Sequence, residues 1–156
     1  MTDQQTTTKP KGSRAAARLA AVQALFQLSR SDDTPAAVIQ QFRELRFGTE
    51  FDGVPFPHAD EAFFADIVKA VAQQSAVFDA EIAERLASTW RLERIDPIVL
   101  QILRAGAYEL MQRPDVPTAV IITQYVDVAH AFYDGAEPKF VNGLLDRMAK
   151  QVRASS

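Results

Sequence analysis

Residues 139–150 read KFVNGLLDRMAK, and at 100° per residue they set Lys139, Gly143, Arg147 and Lys150 in one outward row of a helix, with Phe140 beside it. Lysine and arginine in such a row supply contacts to phosphate oxygens, and an aromatic at its edge can stack on a base. A glycine inside a helix costs about 0.5–1 kcal/mol relative to alanine, so its presence asks for a close approach by something else. Val141, Leu144, Leu145 and Met148 form the opposite, inward stripe, and Phe140 falls at its margin in the first turn. Lys139, Phe140 and Arg147 are therefore candidate RNA contacts, and Glu137 and Gly143 candidate contacts to a protein partner. The other reading is that Phe140 is ordinary core and Gly143 fits a neighbouring helix of the same chain.

A second candidate group lies near the N-terminus, in SRAAARLAAVQALFQL. Ala15, Leu19, Val22 and Phe26 make an inward stripe by the same wheel, which puts Arg14 and Arg18 on its flank beside Leu25. Alanines at 15, 16, 17, 20, 21 and 24 leave a slim surface on which a bulky partner can reach both arginines. An isolated arginine pair on a helix is usually just solvated, so this group gains weight only together with the first.

The elements that must hold these residues are helices. Ser13 can cap a helix from about Arg14 to Ser29, and Thr34 with Pro35 can open a second to about Phe47. GTEFDGVPFPH, residues 48–58, reads as a long loop whose Phe51 and Phe56 are either a lid on the domain's own core, the favoured reading, or a partner contact. Residues 60–88 give one kinked helix or two. Residues 96–113 and 117–133 are apolar nearly all round and belong in the middle of a bundle, joined as a hairpin by the PDVP turn. Pro138 starts the last helix, which covers them. No run alternates as a strand would, so the class is all-α. Residues 1–12 read as a disordered arm ahead of one domain over 13–154, divided into subdomains of about 13–75 and 76–154.

Composition narrows the chemistry further. With no cysteine and two histidines, His58 and His130, thiolate catalysis, disulfides and cysteine-ligated zinc are excluded, and no metal or other cofactor is expected. His58 sits in a proline-rich loop and His130 on the polar side of the 117–133 helix with Thr123 and Asp127, so both read as solvated and not as acid/base residues. Glu109 reads as a buried hydrogen-bonding residue with no nucleophile paired to it. The net charge of −3 conceals an asymmetry: residues 1–30 carry five basic side chains against one acid, and the remaining 126 carry 12 against 19. A basic leading edge on an acidic body suggests a polyanion meeting one edge of the domain. No segment has the roughly 20 apolar residues of a membrane span, and the first residues lack the apolar run of a signal peptide, so a cytoplasmic protein with no membrane contact is expected.

RAAARLAAVQALFQ, WRLERIDPIVLQILRAGAYEL, the VP turn at 116–117 and KFVNGLLD, in this order and spacing, resemble the bacterial transcription antitermination factor family NusB over most of residues 14–150. The resemblance implies an all-helical fold of two small bundles with about seven helices, and no catalysis. It implies that the protein, with a small-subunit ribosomal protein known as NusE, binds single-stranded boxA-type RNA and supports transcription of ribosomal RNA operons within an elongation complex that holds other Nus factors. Homodimerisation of the free protein is a further expectation. By position the family's RNA contacts fall on Arg14, Arg18 and Phe140, with Lys139 adjacent and Phe26 where a tyrosine is often found.

RAAAR is less dense in arginine than the corresponding segment of well-known members, which lowers the electrostatic share of RNA binding. Phe26 lacks the hydroxyl of tyrosine but can still stack. Two rival functions are a protein-interaction scaffold that never touches RNA, and a stand-alone relative of the NusB-like domain of ribosomal RNA methyltransferases. A methyltransferase itself needs a parallel sheet with a glycine-rich cofactor loop, which no segment here supplies.

Overall fold

The computed structural model describes residues 13–47, 50–51, 54–55 and 59–153. Among them are six α-helices: α1 (Arg14–Ser29), α2 (Pro35–Leu45), α3 (Glu61–Glu84), α4 (Pro97–Gln112), α5 (Thr118–Phe132) and α6 (Glu137–Val152). A single 3-10 turn, Leu92–Arg94, leads into α4. The fold is all-α, as the periodicity predicts, and α3 breaks its helical geometry at Gln74, so that the six helices behave as about seven. A two-residue antiparallel pair, Glu50–Phe51 with Val54–Pro55, occupies part of the expected loop, too short for alternation to reveal. The arm at residues 1–12, His58, Phe56 and the side chain of Phe51 lie outside the described residues.

The helix starts follow local capping chemistry. Ser13 accepts from the Ala16 amide at 3.0 Å, Thr34 from Ala37 at 3.1 Å ahead of Pro35, and Asp60 from Phe63 at 3.0 Å. Asp96 accepts from the Ile98 and Val99 amides at the start of α4. Each cap supplies an acceptor to first-turn N–H groups that have no partner within the helix.

α4 is the centre of the molecule, packed by α3, α1, α5 and α6. Ten of its sixteen residues are buried, which is why its sequence is apolar nearly all round. Its hairpin partner α5 buries Ile121, Tyr125, Val128 and Ala129, and its polar side of Thr123, Asp127 and His130 is in solvent, as expected. Val120 is also exposed there, so apolar composition alone overstated the burial of this helix. α3 is fastened to α4 by Arg104, which donates to both Asp79 oxygens at 2.7 and 2.8 Å, and by the paired amides of Gln74 and Gln112. Arg153, just past α6, donates to the carbonyls of Glu109, Leu110, Arg113 and Val116 and so clamps the turn between α4 and α5.

Gly106 marks the closest helix crossing. A Cβ there would lie 2.9 Å from Leu145 Cδ1 and 3.0 Å from Cδ2, so α6 can approach α4 only because this residue has no side chain.

Candidate nucleic-acid and partner interface

On α6 the sequence-predicted geometry holds. Val141, Leu144, Leu145 and Met148 are fully buried, while Lys139, Arg147 and Lys150 are exposed along one row. Gly143 lies in that row, and a Cβ there would meet only the Arg147 Nη1 at 3.3 Å. Gly143 therefore fits no neighbouring helix of this chain; Gly106 does that work. Arg147 donates weakly to the Arg85 carbonyl at 3.4 Å, and Lys150 pairs with Asp146 at 3.3 Å, both at the exposed surface.

Phe140 is half-buried, as expected for the margin of the stripe, and its ring stacks on Trp90 with centroids 6.2 Å apart and planes at 29°. Trp90 stands in the connection before α4 and remains 49% exposed. Nothing in the periodicity singled it out, because it lies outside every helix; a large aromatic in an irregular segment was the available signal. Around the pair is a groove of ≈ 380 Å³ whose wall includes Glu137.

The N-terminal group corrects the sequence reading. Arg18, expected on an open flank, is only 3% exposed. Its Nε and Nη2 donate to the two oxygens of Glu109 at 2.7 and 2.9 Å, and the Tyr125 hydroxyl donates to the same carboxylate at 2.5 Å. Burial works against the Arg18 charge, but the hydrogen bonds and attraction of Glu109 prevail and raise its pKa. Burial, reinforced by the Glu109 charge, holds the Tyr125 hydroxyl far above its ordinary range, so it stays a donor. Glu109 is the buried hydrogen-bonding residue that its context suggested, with Arg18 as the unforeseen partner. The predicted stripe is rotated accordingly: of its four residues Val22 alone is fully buried, Ala15 is exposed and Leu19 and Phe26 are half-buried, whereas Ala17, Arg18, Ala21 and Leu25 face the core.

Arg14 does remain at the surface. Its guanidinium lies 4.3 Å over the Phe63 ring, with those of Arg18 and Arg113 at 4.9 Å from the same centroid. The carboxylates of Asp60 and Asp115 stand 3.7 and 4.0 Å from Arg14. The bidentate bond from Arg113 draws Asp115 down to about 2, so this carboxylate is charged at any pH near neutrality. Three arginines thus meet Asp60, Asp66, Asp115 and Glu109, so Arg14 and Arg18 of the basic leading edge both stand beside carboxylates of the folded chain. Phe26 is half-buried near the end of α1, with the Arg30 guanidinium 5.0 Å from its ring centre.

Arg14 and Phe140 stand on different helices: α1 packs on α2, α3, α4 and α5, and α6 packs on α3, α4 and α5. Among the described residues no cluster of three or more His, Asp or Glu side chains converges as metal ligands would.

Fold and site together define a helical binding domain with one aromatic and basic surface on its last helix. The NusB family model matches residues 15–150. The transcription antitermination protein NusB of Novosphingobium aromaticivorans is 52% identical over 140 residues, which are 90% of this chain and 95% of that protein. Its counterpart in Rhizobium rhizogenes is 44% identical over 154 residues, 99% of this chain and 96% of that one. Among solved structures, T. maritima NusB superposes with a TM-score of 0.74 at 28% identity, covering 91% of this chain and 94% of its own. A chain from the crystal structure of a plectonemic RNA supercoil shares the fold, with a TM-score of 0.76 at 22% identity. The chain belongs to the NusB family.

Proposed function

We propose that this protein is a transcription antitermination factor that binds single-stranded boxA-type RNA together with the ribosomal protein NusE, as part of an elongation complex with other Nus factors. The relatives that align along nearly their whole length carry the antitermination name. The observation that bears most on the surface is the α6 row: exposed Lys139 and Arg147, half-covered Phe140, and a glycine that contacts no other helix of its own chain. Phosphate contacts come from Lys139, Arg147 and Arg14, and stacking from Phe140 and Phe26. Arg18 acts through position, holding α1 on α4 so that Arg14 is presented at the edge. Glu137 and Gly143 serve the protein partner.

The reading carries a division into subdomains at residues 13–75 and 76–154, supported by the break at Gln74. A cytoplasmic site of action fits helices none of which, among the described residues, is long and apolar enough to cross a membrane. The role is one of binding without catalysis, and the free protein pairs with a second copy.

The test is a titration of fluorescent boxA-like RNA with the protein alone and with NusE. Binding should tighten with NusE and resist competitor RNA of scrambled sequence. Equal competition by the scrambled strand sinks the sequence-specific reading.

A further inference from the structure

We infer that the groove beside Phe140 receives an arginine side chain of the protein partner and is not part of the RNA track. This rests on the reading above that a protein partner docks at this end of α6. The groove is lined by Trp90, Arg94, Asp96, Val99, Glu137 and Phe140. It combines an aromatic wall with two carboxylates and a single cation.

The decisive atom is Glu137 Oε1. It is buried and has no hydrogen-bond partner among the described residues. A carboxylate oxygen taken out of water without a donor is costly, so the free protein leaves this position incomplete. Asp96 is not in that condition: it caps α4 and accepts from the Tyr133 hydroxyl. What enters must therefore bring a donor to Glu137 from outside.

Charge decides between the two classes of visitor. A phosphate has no donor to offer at neutral pH and meets two carboxylates against one arginine, so RNA backbone is repelled from this groove. A guanidinium satisfies every feature at once. Its planar face stacks on the exposed Trp90 ring, its fork donates to Glu137, and its positive charge complements the acidic wall. A lysine ammonium meets the charge requirement but lacks the flat face and the fork. RNA is left with the outward row of Lys139 and Arg147, so the two ligands meet on either side of Phe140.

The experiment measures the affinity of full-length protein for NusE and, separately, for boxA-like RNA without NusE. Glu137→Gln keeps the side-chain shape and removes the charge. It should weaken NusE binding about tenfold or more, the scale for removing one member of a buried charge pair at an interface. RNA binding by the protein alone should hold or improve. Arg-to-Glu changes scanned across the NusE surface should include one that weakens binding and is restored by Glu137→Lys. NusE affinity unchanged within twofold in Glu137→Gln overturns the proposal, as does an equal loss of RNA affinity, which would place RNA in the groove. A lower melting temperature with unchanged NusE affinity also overturns it, by showing that an internal donor such as Arg94 serves Glu137. If wild-type protein fails to bind NusE at all, the broader reading fails instead, which is a distinguishable result.

Discussion

The first and last helices both carry the basic residues that drew attention in the sequence, yet a helical wheel describes α6 and misdescribes α1. In α6 four bulky residues mark one face, and all four are buried with the cations opposite. In α1 six alanines carry almost no directional signal, because each offers little area to bury. The orientation of α1 is then settled by a partner 91 residues away, Glu109, whose buried carboxylate requires a cation. The lesson is that periodicity finds a face defined by apolar bulk and misses one defined by a buried ion pair. Arg18 taken alone reads as a surface residue, and the burial expected of Glu109 does not name its partner.

The sharpest way to break this comparison is at Arg18. Arg18→Ala leaves Glu109 charged and unpaired inside the protein, and should cost about 3–5 kcal/mol of folding stability, measured by urea denaturation. Arg14→Ala, on the same helix but at the surface, should cost under about 1 kcal/mol. Equal losses in the two variants would mean that α1 sits in solution with Arg18 facing water. Replacing Arg18 and Glu109 together with apolar residues should cost less than the sum of the single changes, since neither charge is then stranded.

Much of the fold was legible because it depends on local chemistry. Ser13, Thr34 with Pro35, and the inward stripe of α6 are decided within one or two turns of chain. What stayed hidden depends on packing between distant segments: the Arg18–Glu109 pair and the identity of the glycine at the α4–α6 crossing. Of the candidate site, the α6 residues could be placed by spacing. Trp90 could not, since it is brought to Phe140 by an irregular connection whose path no period encodes.

Phe140 tests whether the α6 surface is a binding surface at all. Phe140→Ala should lose about 1–3 kcal/mol of RNA affinity, the range for a base stacked on an aromatic. Its stability loss should fall below the about 3–5 kcal/mol expected for Phe64→Ala, because Phe64 is fully buried in the core and Phe140 is not. Equal destabilisation by the two changes, with RNA affinity falling only through unfolding, would make Phe140 a core residue.

Asp60 sharpens the α1 side. Its charge stands 3.7 Å from Arg14, where it competes with any phosphate for the same guanidinium. Asn caps helices about as well as Asp, so Asp60→Asn preserves the start of α3 while removing the competitor. RNA affinity should rise by up to about fivefold, in keeping with an exposed pair worth under about 1 kcal/mol. With the three phosphate contacts from Lys139, Arg147 and Arg14 to a single strand the salt slope should be about −2, and Arg14→Ala should reduce its magnitude by about 0.7. A gain from Asp60→Asn that persists in the Arg14→Ala background would remove Arg14 from the contact.

The smallest effect separates the two glycines. At Gly106 a methyl group would strike both Leu145 methyls in a filled core, so Gly106→Ala should destabilise by about 1–3 kcal/mol despite the better helix propensity of alanine. At Gly143 the same methyl meets only the tip of Arg147, a flexible exposed side chain that can move aside. Gly143→Ala should therefore stabilise the free protein by up to about 1 kcal/mol. If RNA or NusE packs its backbone against this row, the gain in stability should come with weaker complex formation, because the methyl occupies the space the ligand needs. A Gly143→Ala protein that melts higher and binds both ligands as well as wild type would show that nothing docks on the glycine. The exposed row of α6 would then be reduced to its cations and Phe140.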